Sequence, residues 1–409
     1  MRVLMWEHFA PGGPIRVAGH HLAERFARRG DRVAWCAGPV SPFNLLRAGE
    51  ESRARLRLWR RGGEWTGDRA MFAYAPMTLL PHRRRPLLDH RFVAARTLRA
   101  TAPSFRGALA AAGFASPDLV FMEPGAPLVA LLDMYTRARV VYRMCDDTAE
   151  FPDTPRSFAA IESEVCRRAD LVVATARRLA RAAAERGARH VLHLPNACDP
   201  MPFAPRARPE PADLRALPRP RAIYAGGIES WFDAGLVAAA ARRLPRWSFV
   251  LVGPVRGRFP EIDGLANVRL IGPRPYDALP DYFAAADAGL VPFRLTPMTH
   301  AIHPIKVYEY LAAGLPVVST PMDETAAMAA PIALAGDADG LAAALEAARA
   351  ADGPEGRAAR VAYARRNTWD DRFAALVAAL AMDQAGAARA PVPAAAPAAP
   401  PRAAAGGMR

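Results

Sequence analysis

The stretch "HPIKVYEYLAAGLPVVST", residues 303–320, predicts a helix that leads directly into a short buried strand. Pro304 suits the first turn of a helix, where its missing N–H is not needed, and Gly314 suits the position just past the helix end. "LPVVST" (315–320) then has the continuous apolar composition of a strand that is covered on both faces. This stretch therefore predicts one helix–strand unit of a parallel α/β sheet.

The same alternation of short apolar runs with helical patterns continues on both sides of this unit. In the second half, strands are predicted over 221–226, 247–253, 267–272, 288–293 and 315–320, with helices over 234–243, 278–286 and 304–313. In the first half, strands are predicted over 2–6, 32–37, 118–122, 139–144, 170–175 and 190–195. The pattern predicts an α/β protein with two doubly wound, Rossmann-like domains facing across a cleft, where ligands bind at the carboxyl ends of the strands.

Changes in composition predict the domain boundaries. Residues 203–220 are rich in proline and arginine and break the alternation, which indicates a linker between a first domain over 1–202 and a second over 221–366. A C-terminal helix is predicted over 367–384, with Asp370 and Asp371 in its first turn, where the helix dipole favours acids. Residues 385–409 are almost all Ala, Pro, Gly and Arg, and such a composition predicts a disordered tail.

Several classes of protein are disfavoured by the sequence. No apolar run approaches the roughly 20 residues needed to cross a bilayer, and the start "RVLMW" lacks a charged region with a cleavage site, so a cytoplasmic location is expected. The four cysteines have neither CxxC spacing nor a dense framework, which argues against disulfides and zinc. The Asp-x-Asp of "GDADG" (336–340) is more typical of a helix start than of a metal–diphosphate site, so we expect no metal.

The net charge of +14 is concentrated in residues 51–100, which we call the basic flank: 12 arginines stand there against four acidic residues. Apolar side chains are interleaved with these arginines: Leu56, Leu58, Trp59, Trp65, Phe72, Tyr74, Leu79, Leu80 and Leu87. This mixture suits an anionic membrane surface, although a solvated arginine face would explain the charge equally well. Nucleic acid is not an expected partner, because no nucleic-acid-binding module accompanies the charge.

Lys306 is the only lysine among the 54 basic residues. A helix N-terminus presents free N–H groups and a partial positive charge, so an ammonium in its first turn is unfavourable unless an anion binds there. Glu309 follows one turn later, where a carboxylate can accept hydrogen bonds from two hydroxyls, as of a ribose. The pair predicts a site for a phosphorylated sugar or nucleotide, and a solvated Lys/Glu pair on a helix surface is the alternative.

Glycines at predicted strand ends are candidates for close approach of the backbone to such a ligand. Gly226 and Gly227 follow the first strand of the second domain, and Gly253 ends the next strand. Glycines there let backbone groups come near a phosphate or a planar base, although ordinary turns explain them equally well. Arg274, in "LIGPRP" (270–275), is grouped with these donor-binding candidates.

Acidic residues near the cleft are candidates for catalysis. Asp146 and Asp147 lie just past the strand predicted over 139–144, where one carboxylate could remove a proton from an incoming hydroxyl, or both could cap a helix. Gly12, Gly13 and Glu123 complete the candidates on the first-domain side, which we expect to bind the acceptor.

The order of "YAGGIESWFD", "WSFVLVGP", "NVRLIGPRPYDALPDYFAAADAGLVPF" and "HPIKVYEYLAAGLPVVST" resembles the donor half of GT-B glycosyltransferases over about residues 221–320. The resemblance implies that the donor nucleotide lies on the second domain and the acceptor on the first. It further implies that Lys306 binds the diphosphate and Glu309 the ribose.

The first domain is similar to the membrane-associated glucuronosyltransferases of xanthan-type assembly, in "HFAPGGPIRVAGHHLAERFARRG", "VFMEPGAPLVALL" and "VYRMCDD". In that family the aspartate at the position of Asp146 acts as the base. Two departures leave the stereochemical outcome open: Ala301 stands where many retaining relatives carry a glutamate, and "PNACD" replaces the usual Asn-Gly.

These resemblances imply a hexosyl- or glucuronosyltransferase that uses a nucleoside-diphosphate sugar, expected to be UDP-linked, without metal or other cofactor. The expected acceptor is a saccharide, above all a lipid-linked one in polysaccharide assembly, reached from the inner face of an anionic membrane. Two alternatives remain at this stage: a nucleotide-sugar 2-epimerase on the same fold, and a catalytically silent sugar-nucleotide-binding partner of another transferase.

Overall fold

The computed structural model describes residues 1–11, 16–42, 49–66, 70–125 and 127–386, and these ranges form two α/β domains. Gly12 and Gly13 therefore lie outside the described residues, as do residues 387–409, most of the segment predicted to be a disordered tail.

The first domain is built on an eight-stranded sheet in the order β3-β4-β2-β1-β5-β6-β7-β8. Its strands are β1 (Arg2–Glu7), β2 (Arg32–Ala37), β3 (Glu64–Thr66), β4 (Met71–Tyr74), β5 (Leu119–Met122), β6 (Arg139–Met144), β7 (Leu171–Ala174) and β8 (Val191–His193). The β3–β4 pair is antiparallel and the other pairs are parallel. Its helices are α1 (Ala18–Arg28), α2 (Glu50–Arg60), α3 (Arg91–Arg96), α4 (Phe105–Ala111), α5 (Leu128–Met134), α6 (Phe158–Arg168) and α7 (Arg177–Glu185). The short helix α8 (Pro200–Phe203) follows, and its Phe203 is buried in the core of the second domain.

The second domain has a six-stranded parallel sheet in the order β11-β10-β9-β12-β13-β14. Its strands are β9 (Arg221–Ala225), β10 (Ser248–Val252), β11 (Val268–Gly272), β12 (Ala288–Val291), β13 (Val317–Ser319) and β14 (Ala333–Leu334). Its helices are α9 (Ala234–Arg243), α10 (Leu279–Ala284), α11 (Pro297–His300), α12 (Ile305–Ala312), α13 (Asp323–Ala327), α14 (Ala338–Ala350) and α15 (Pro354–Arg365). The strand order is that of a doubly wound Rossmann sheet, which confirms the predicted fold class.

Hydrophobic cores cover both faces of the first sheet and enclose the second, which explains the nearly continuous apolar runs of their central strands. The last helix, α16 (Trp369–Gly386), returns to the first domain. There Trp369 and Leu376 are buried in the same core as Phe26 of α1. The two domains are thus joined at two chain crossings, one before α8 and one before α16.

The basic flank differs from the prediction in one respect. Two of its stretches form β3 (Glu64–Thr66) and β4 (Met71–Tyr74) at one side of the first sheet. Phe72 and Tyr74 are buried there, and Trp65 packs against Phe72 at 5.3 Å between ring centroids. Trp59 donates a hydrogen bond to the carbonyl of Ala102 (2.7 Å). The expectation that Phe72 and Tyr74 could enter a membrane is therefore wrong, because both are buried in the core of the first domain. Within the flank, large exposed apolar side chains are found at Leu79, Leu87 and Phe92.

No helix in the described ranges is both long enough and apolar enough to span a membrane.

Candidate active site

Lys306 lies in the first turn of α12, at the carboxyl end of β9, as the sequence predicts. Its ammonium nitrogen lies 5.1 Å from the ring centroid of Tyr224 and 4.8 Å from that of Phe293. Burial lowers the pKa of Lys306 to about 8, and the nearby charge of Glu309 opposes this shift. Within the described part of the chain no carboxylate pairs directly with the ammonium. A half-buried cation of this kind is suited to an anionic ligand.

Glu309 lies one turn further along α12 and is buried. Its carboxylate accepts a hydrogen bond from the hydroxyl of Tyr276 (2.7 Å), and burial raises the pKa of Glu309. The guanidinium of Arg16, from the first domain, lies over the ring of Tyr276 at 5.7 Å from its centroid. Glu309 is thus not the solvated partner of a surface lysine, because it is enclosed by residues of both domains.

The glycines predicted to allow close approach are tightly constrained at the strand ends. A Cβ on Gly253 would lie 1.9 Å from the carbonyl oxygen of Gly226, and Gly253 has a φ of +147°. A Cβ on Gly226 (φ +148°) would lie 3.2 Å from the ammonium nitrogen of Lys306. At Gly227 it would lie 2.9 Å from a carboxylate oxygen of Glu229. A side chain at Gly226 or Gly253 would therefore disturb the backbone beside the ammonium.

Arg274 makes its polar contacts with other residues. Its guanidinium pairs with Asp213 of the linker segment (2.8 Å) and donates a hydrogen bond to the hydroxyl of Tyr282 (2.8 Å). The structure thus joins Lys306, Glu309, Gly226 and Gly253 but gives Arg274 a linker contact.

In the first domain, Asp146 follows the carboxyl end of β6 and is half-buried. Burial raises its pKa to about 6, against a hydrogen bond from Cys145 and the charge of Arg143, while Glu123 and Asp147 add to the rise. A carboxyl group with a pKa near neutrality is suited to general base catalysis. The capping alternative finds no support in the side chains, since Asp147 precedes the short turn Thr148–Glu150 without a side-chain capping bond.

Glu123 is buried, and its carboxylate pairs with the guanidinium of Arg143 at 2.6 Å. Glu7, which ends β1, is also buried, and burial together with the carboxylate of Glu123 raises the pKa of Glu7 well above its usual range. A Cβ on Gly19 of α1 would lie 2.0 Å from a carboxyl oxygen of Glu7, so the helix backbone passes directly against this acid. Glu123 is therefore a buried partner of Arg143 whose charge acts on Asp146, and its place on the acceptor side stays a prediction.

Sequence reasoning missed Glu7, Arg143 and Tyr276. Glu7 ends β1, whereas Arg143 lies in "VYRMCDD" and Tyr276 in "NVRLIGPRPYDALPDYFAAADAGLVPF". Their roles, however, depend on which strands are neighbours in the sheet. Because β1, β5 and β6 are adjacent in the sheet, the acids at their carboxyl ends converge.

One group in the described ranges could hold a metal: ligand atoms of His21, Glu24 and Asp199 lie within 4.8 Å of one another. The Asp199 carboxylate, however, is already paired with the guanidinium of Arg25 and bonded to His21 Nδ1 (2.7 Å). Since Arg25 also pairs with Asp370 (2.8 Å), we assign this group to packing between α1 and the chain crossings.

Comparison with protein families gives one match in each domain. Residues 219–350 match the model described as glycosyl transferases group 1. Residues 5–175 match the model of the N-terminal domain of the glucuronosyltransferase GumK. Both matches are to glycosyltransferases, which confirms the predicted resemblance and the predicted class of enzyme.

Solved structures of other proteins are similar in fold to nearly the whole of this chain. Sucrose-phosphate synthase from Thermosynechococcus elongatus is 16% identical with a TM-score of 0.68, covering 94% of this chain and 100% of that chain. HepE from Anabaena, in complex with UDP and glucose, is 16% identical with a TM-score of 0.62, covering 93% of this chain and 99% of that one. The chain has the GT-B fold.

A curated relative extends the GT-B resemblance at the sequence level. TuaH of Bacillus subtilis (strain 168), named as a teichuronic acid biosynthesis glycosyltransferase, is 36% identical over 112 residues. This alignment covers 26% of the present chain and 28% of TuaH, so the two proteins are compared over only about a quarter of their lengths.

Proposed function

We propose that the protein transfers a sugar from a UDP-linked donor to an acceptor hydroxyl. The observation that carries the proposal is the half-buried ammonium of Lys306, which lies against Gly226 at the carboxyl end of β9 and has a lowered pKa. The similarity to HepE, whose structure contains UDP and glucose, supports a UDP-linked donor.

On the donor side, the diphosphate would lie between Lys306 and the N-terminus of α12, with Gly226 and Gly253 allowing the backbone to approach it. As the bond to the sugar breaks, negative charge grows on the leaving diphosphate. A preorganised ammonium and free helix N–H groups stabilise that charge more than the ground state, and this difference accelerates transfer. Glu309 would accept the hydroxyls of the ribose.

On the acceptor side, Asp146 would take the proton of the attacking hydroxyl. Its pKa of about 6 leaves it ionised at neutral pH while it still accepts a proton readily. The guanidinium of Arg143 is held near Asp146 by its ion pair with Glu123, and its positive charge keeps the pKa of Asp146 from rising further.

The decisive experiment is a panel of nucleotide sugars, read by release of the free nucleotide and by mass spectrometry of the products. We expect release of UDP that depends on added acceptor and persists in EDTA, because the ammonium and the helix N-terminus would replace a metal. A product with inverted configuration at C2 and no acceptor dependence would instead identify an epimerase. Tight UDP binding with no turnover on any donor would indicate the silent partner.

We further propose that the acceptor is a lipid-linked saccharide and that one loop of the basic flank, residues 83–89, contacts an anionic membrane. Leu87 is 93% exposed in this loop, shortly after the three arginines 83–85. Asp89, in the same loop, accepts hydrogen bonds from the backbone and hydroxyl of Ser157 (2.9 and 2.7 Å). The loop is therefore hydrogen-bonded to the segment that follows Asp146. A lipid bound at this loop would present its saccharide near the proposed base.

Sedimentation with phosphatidylglycerol or phosphatidylcholine vesicles tests the membrane contact. Changing Arg83, Arg84 and Arg85 to serine should weaken binding to the anionic vesicles about 10- to 100-fold at low salt, since each basic residue contributes about 1 kcal/mol. A matched control changes three exposed arginines of the first domain outside the flank: Arg178, Arg181 and Arg189. Equal losses in both triple variants would show that only total charge matters, and no loss in either would favour a soluble acceptor.

A further inference from the structure

A chain of buried hydrogen bonds runs from the acids of the first domain to the start of α12. The guanidinium of Arg143 donates to Glu123 (2.6 Å) and also to the side-chain oxygen of Asn196 (2.6 Å). The amide nitrogen of Asn196 in turn donates to the backbone carbonyl of His303 (2.6 Å). His303 directly precedes Pro304, the N-cap residue of the helix that carries Lys306.

Asn196 belongs to the "LPNACDP" segment, which connects the first domain to α8. Arg143, Asn196 and His303 are exposed by 3%, 7% and 4% respectively, so the chain of bonds is screened from water. A buried polar group without a partner is destabilising, and Asn196 provides a partner both for the arginine of one domain and for the carbonyl of the other. Its two amide atoms therefore fix the distance between β6 and the first turn of α12.

Other contacts already hold the domains together. The carboxylate of Glu324 accepts a hydrogen bond from the backbone N–H of Arg177 (2.6 Å), and Asp199 pairs with Arg25. Ala301 is fully buried in a hydrophobic cluster of the first domain. Asn196 differs from these contacts because its partners adjoin the two groups that the proposed reaction uses, Asp146 and Lys306.

We propose that Asn196 is a positioning residue that sets the acceptor base Asp146 in register with the donor helix of Lys306. The inference rests on the proposed function. Transfer requires the acceptor oxygen to reach the donor carbon within about 3–3.5 Å, and a displacement of about 1 Å can slow such a step about 100-fold. Donor affinity depends on second-domain groups that stay together when Asn196 is changed.

Two variants separate the cross-domain bond from a local role. Asn196→Ala removes both hydrogen bonds, whereas Asn196→Asp keeps an acceptor for Arg143 and removes the donor to His303. Both should lower kcat about 10- to 100-fold, with the dissociation constant of UDP within about threefold of wild type. The control is Asn267→Ala, because the Asn267 amide donates to three backbone carbonyls within the second domain alone, at 2.9–3.1 Å.

Failure of the positioning role of Asn196 can be distinguished from failure of the proposed sugar transfer. If wild type transfers sugar but Asn196→Asp retains wild-type kcat, or if Asn267→Ala loses as much kcat, the positioning role is wrong. Thermal unfolding of Arg143→Met, Asn196→Ala and the double variant tests the bond without any substrate. Additive losses would overturn the bond itself, whereas a double variant no less stable than its worse parent would support it. A wild type inactive on every donor would overturn the proposed function, and the positioning role with it, even if the bond is present.

Discussion

Replacing Lys306 with methionine should stabilise the unliganded protein while removing most of its affinity for the donor. Methionine is similar in length to lysine but carries no charge to desolvate. In the folded protein burial lowers the pKa of Lys306 from 10.5 to about 8, so its ammonium is held in an unfavourable environment. The site thus keeps a destabilising charge that becomes favourable only when an anion binds.

The size of the effect follows from the pKa. Each pKa unit corresponds to about 1.4 kcal/mol, so the folded state is disfavoured at neutral pH by about 3 kcal/mol at most. Because the folded pKa is the lower one, this penalty is full below pH 8 and is relieved as pH rises from 8 to 10.5. The gain in the methionine variant should therefore be about 1–3 kcal/mol at pH 7 and less than half as large at pH 9.5. For the donor, loss of a charge-assisted contact of about 1.5–3 kcal/mol predicts UDP binding that is about 10- to 100-fold weaker.

Thermal unfolding of wild type and Lys306→Met at pH 7 and pH 9.5, together with calorimetric titration of UDP at pH 7, measures both effects. For a domain of this size about 1 kcal/mol corresponds to roughly 2–4 °C in Tm. Comparing the two proteins at each pH cancels the titration of all other groups. A methionine variant that is less stable than wild type at pH 7, or a difference that does not change with pH, would refute the reasoning.

Three further predictions concern single residues of the site. Lys306→Arg should bind UDP at least about tenfold more weakly in calorimetry although the charge is kept, because the broader guanidinium does not fit beside Gly226. Wild-type affinity in this variant would show that charge alone suffices. Asp146→Asn should bind UDP normally but lower kcat at least about 100-fold. In the wild-type protein kcat/KM should fall as pH drops through about 6, because Asp146 becomes protonated there. A kcat/KM that does not change with pH in this range would exclude Asp146 as the base. Gly253→Ala should destabilise the protein by about 3 kcal/mol or more in urea unfolding, because its Cβ would overlap the Gly226 carbonyl. Gly264→Ala is the control, since Gly264 also has a positive φ (+73°) but open space, and equal losses would mean that φ alone is responsible.

The sequence predicts the central strands well because they are covered on both faces. All five strands predicted in the second domain agree with the structure within two residues at each end, as do 32–37 and 139–144 in the first. The strands that were missed are β3, β4 and β14, which lie at a sheet edge or directly next to one. Met71–Tyr74 follows an arginine-rich stretch, and Ala333–Leu334 has two residues, so neither forms a long apolar run. Edge strands carry a weaker hydrophobic signal because one side of them faces solvent or a charged loop.

The placement of the proposed donor-binding residues was predictable because they are close in sequence or mark strand ends. Lys306 and Glu309 lie one turn apart on a helix whose limits are set by Pro304 and Gly314, so their placement follows from local structure. The bond between Asn196 and the His303 carbonyl was not predictable in this way. It depends on how the two domains are oriented, and no local pattern encodes that orientation.

The acceptor side shows why strand order decides the chemistry. Glu7, Glu123 and Asp146 are far apart in sequence, but they come together because β1, β5 and β6 are neighbours in the sheet. Burial and the carboxylate of Glu123 raise the pKa of Glu7 well above its usual range, and Glu123 is itself paired with Arg143. The pKa of Asp146 is raised to about 6, so its charge changes near neutrality. The proton-accepting role that we propose for Asp146 thus depends on Glu123 and Arg143, whose charges act on it because the strand order brings them beside it.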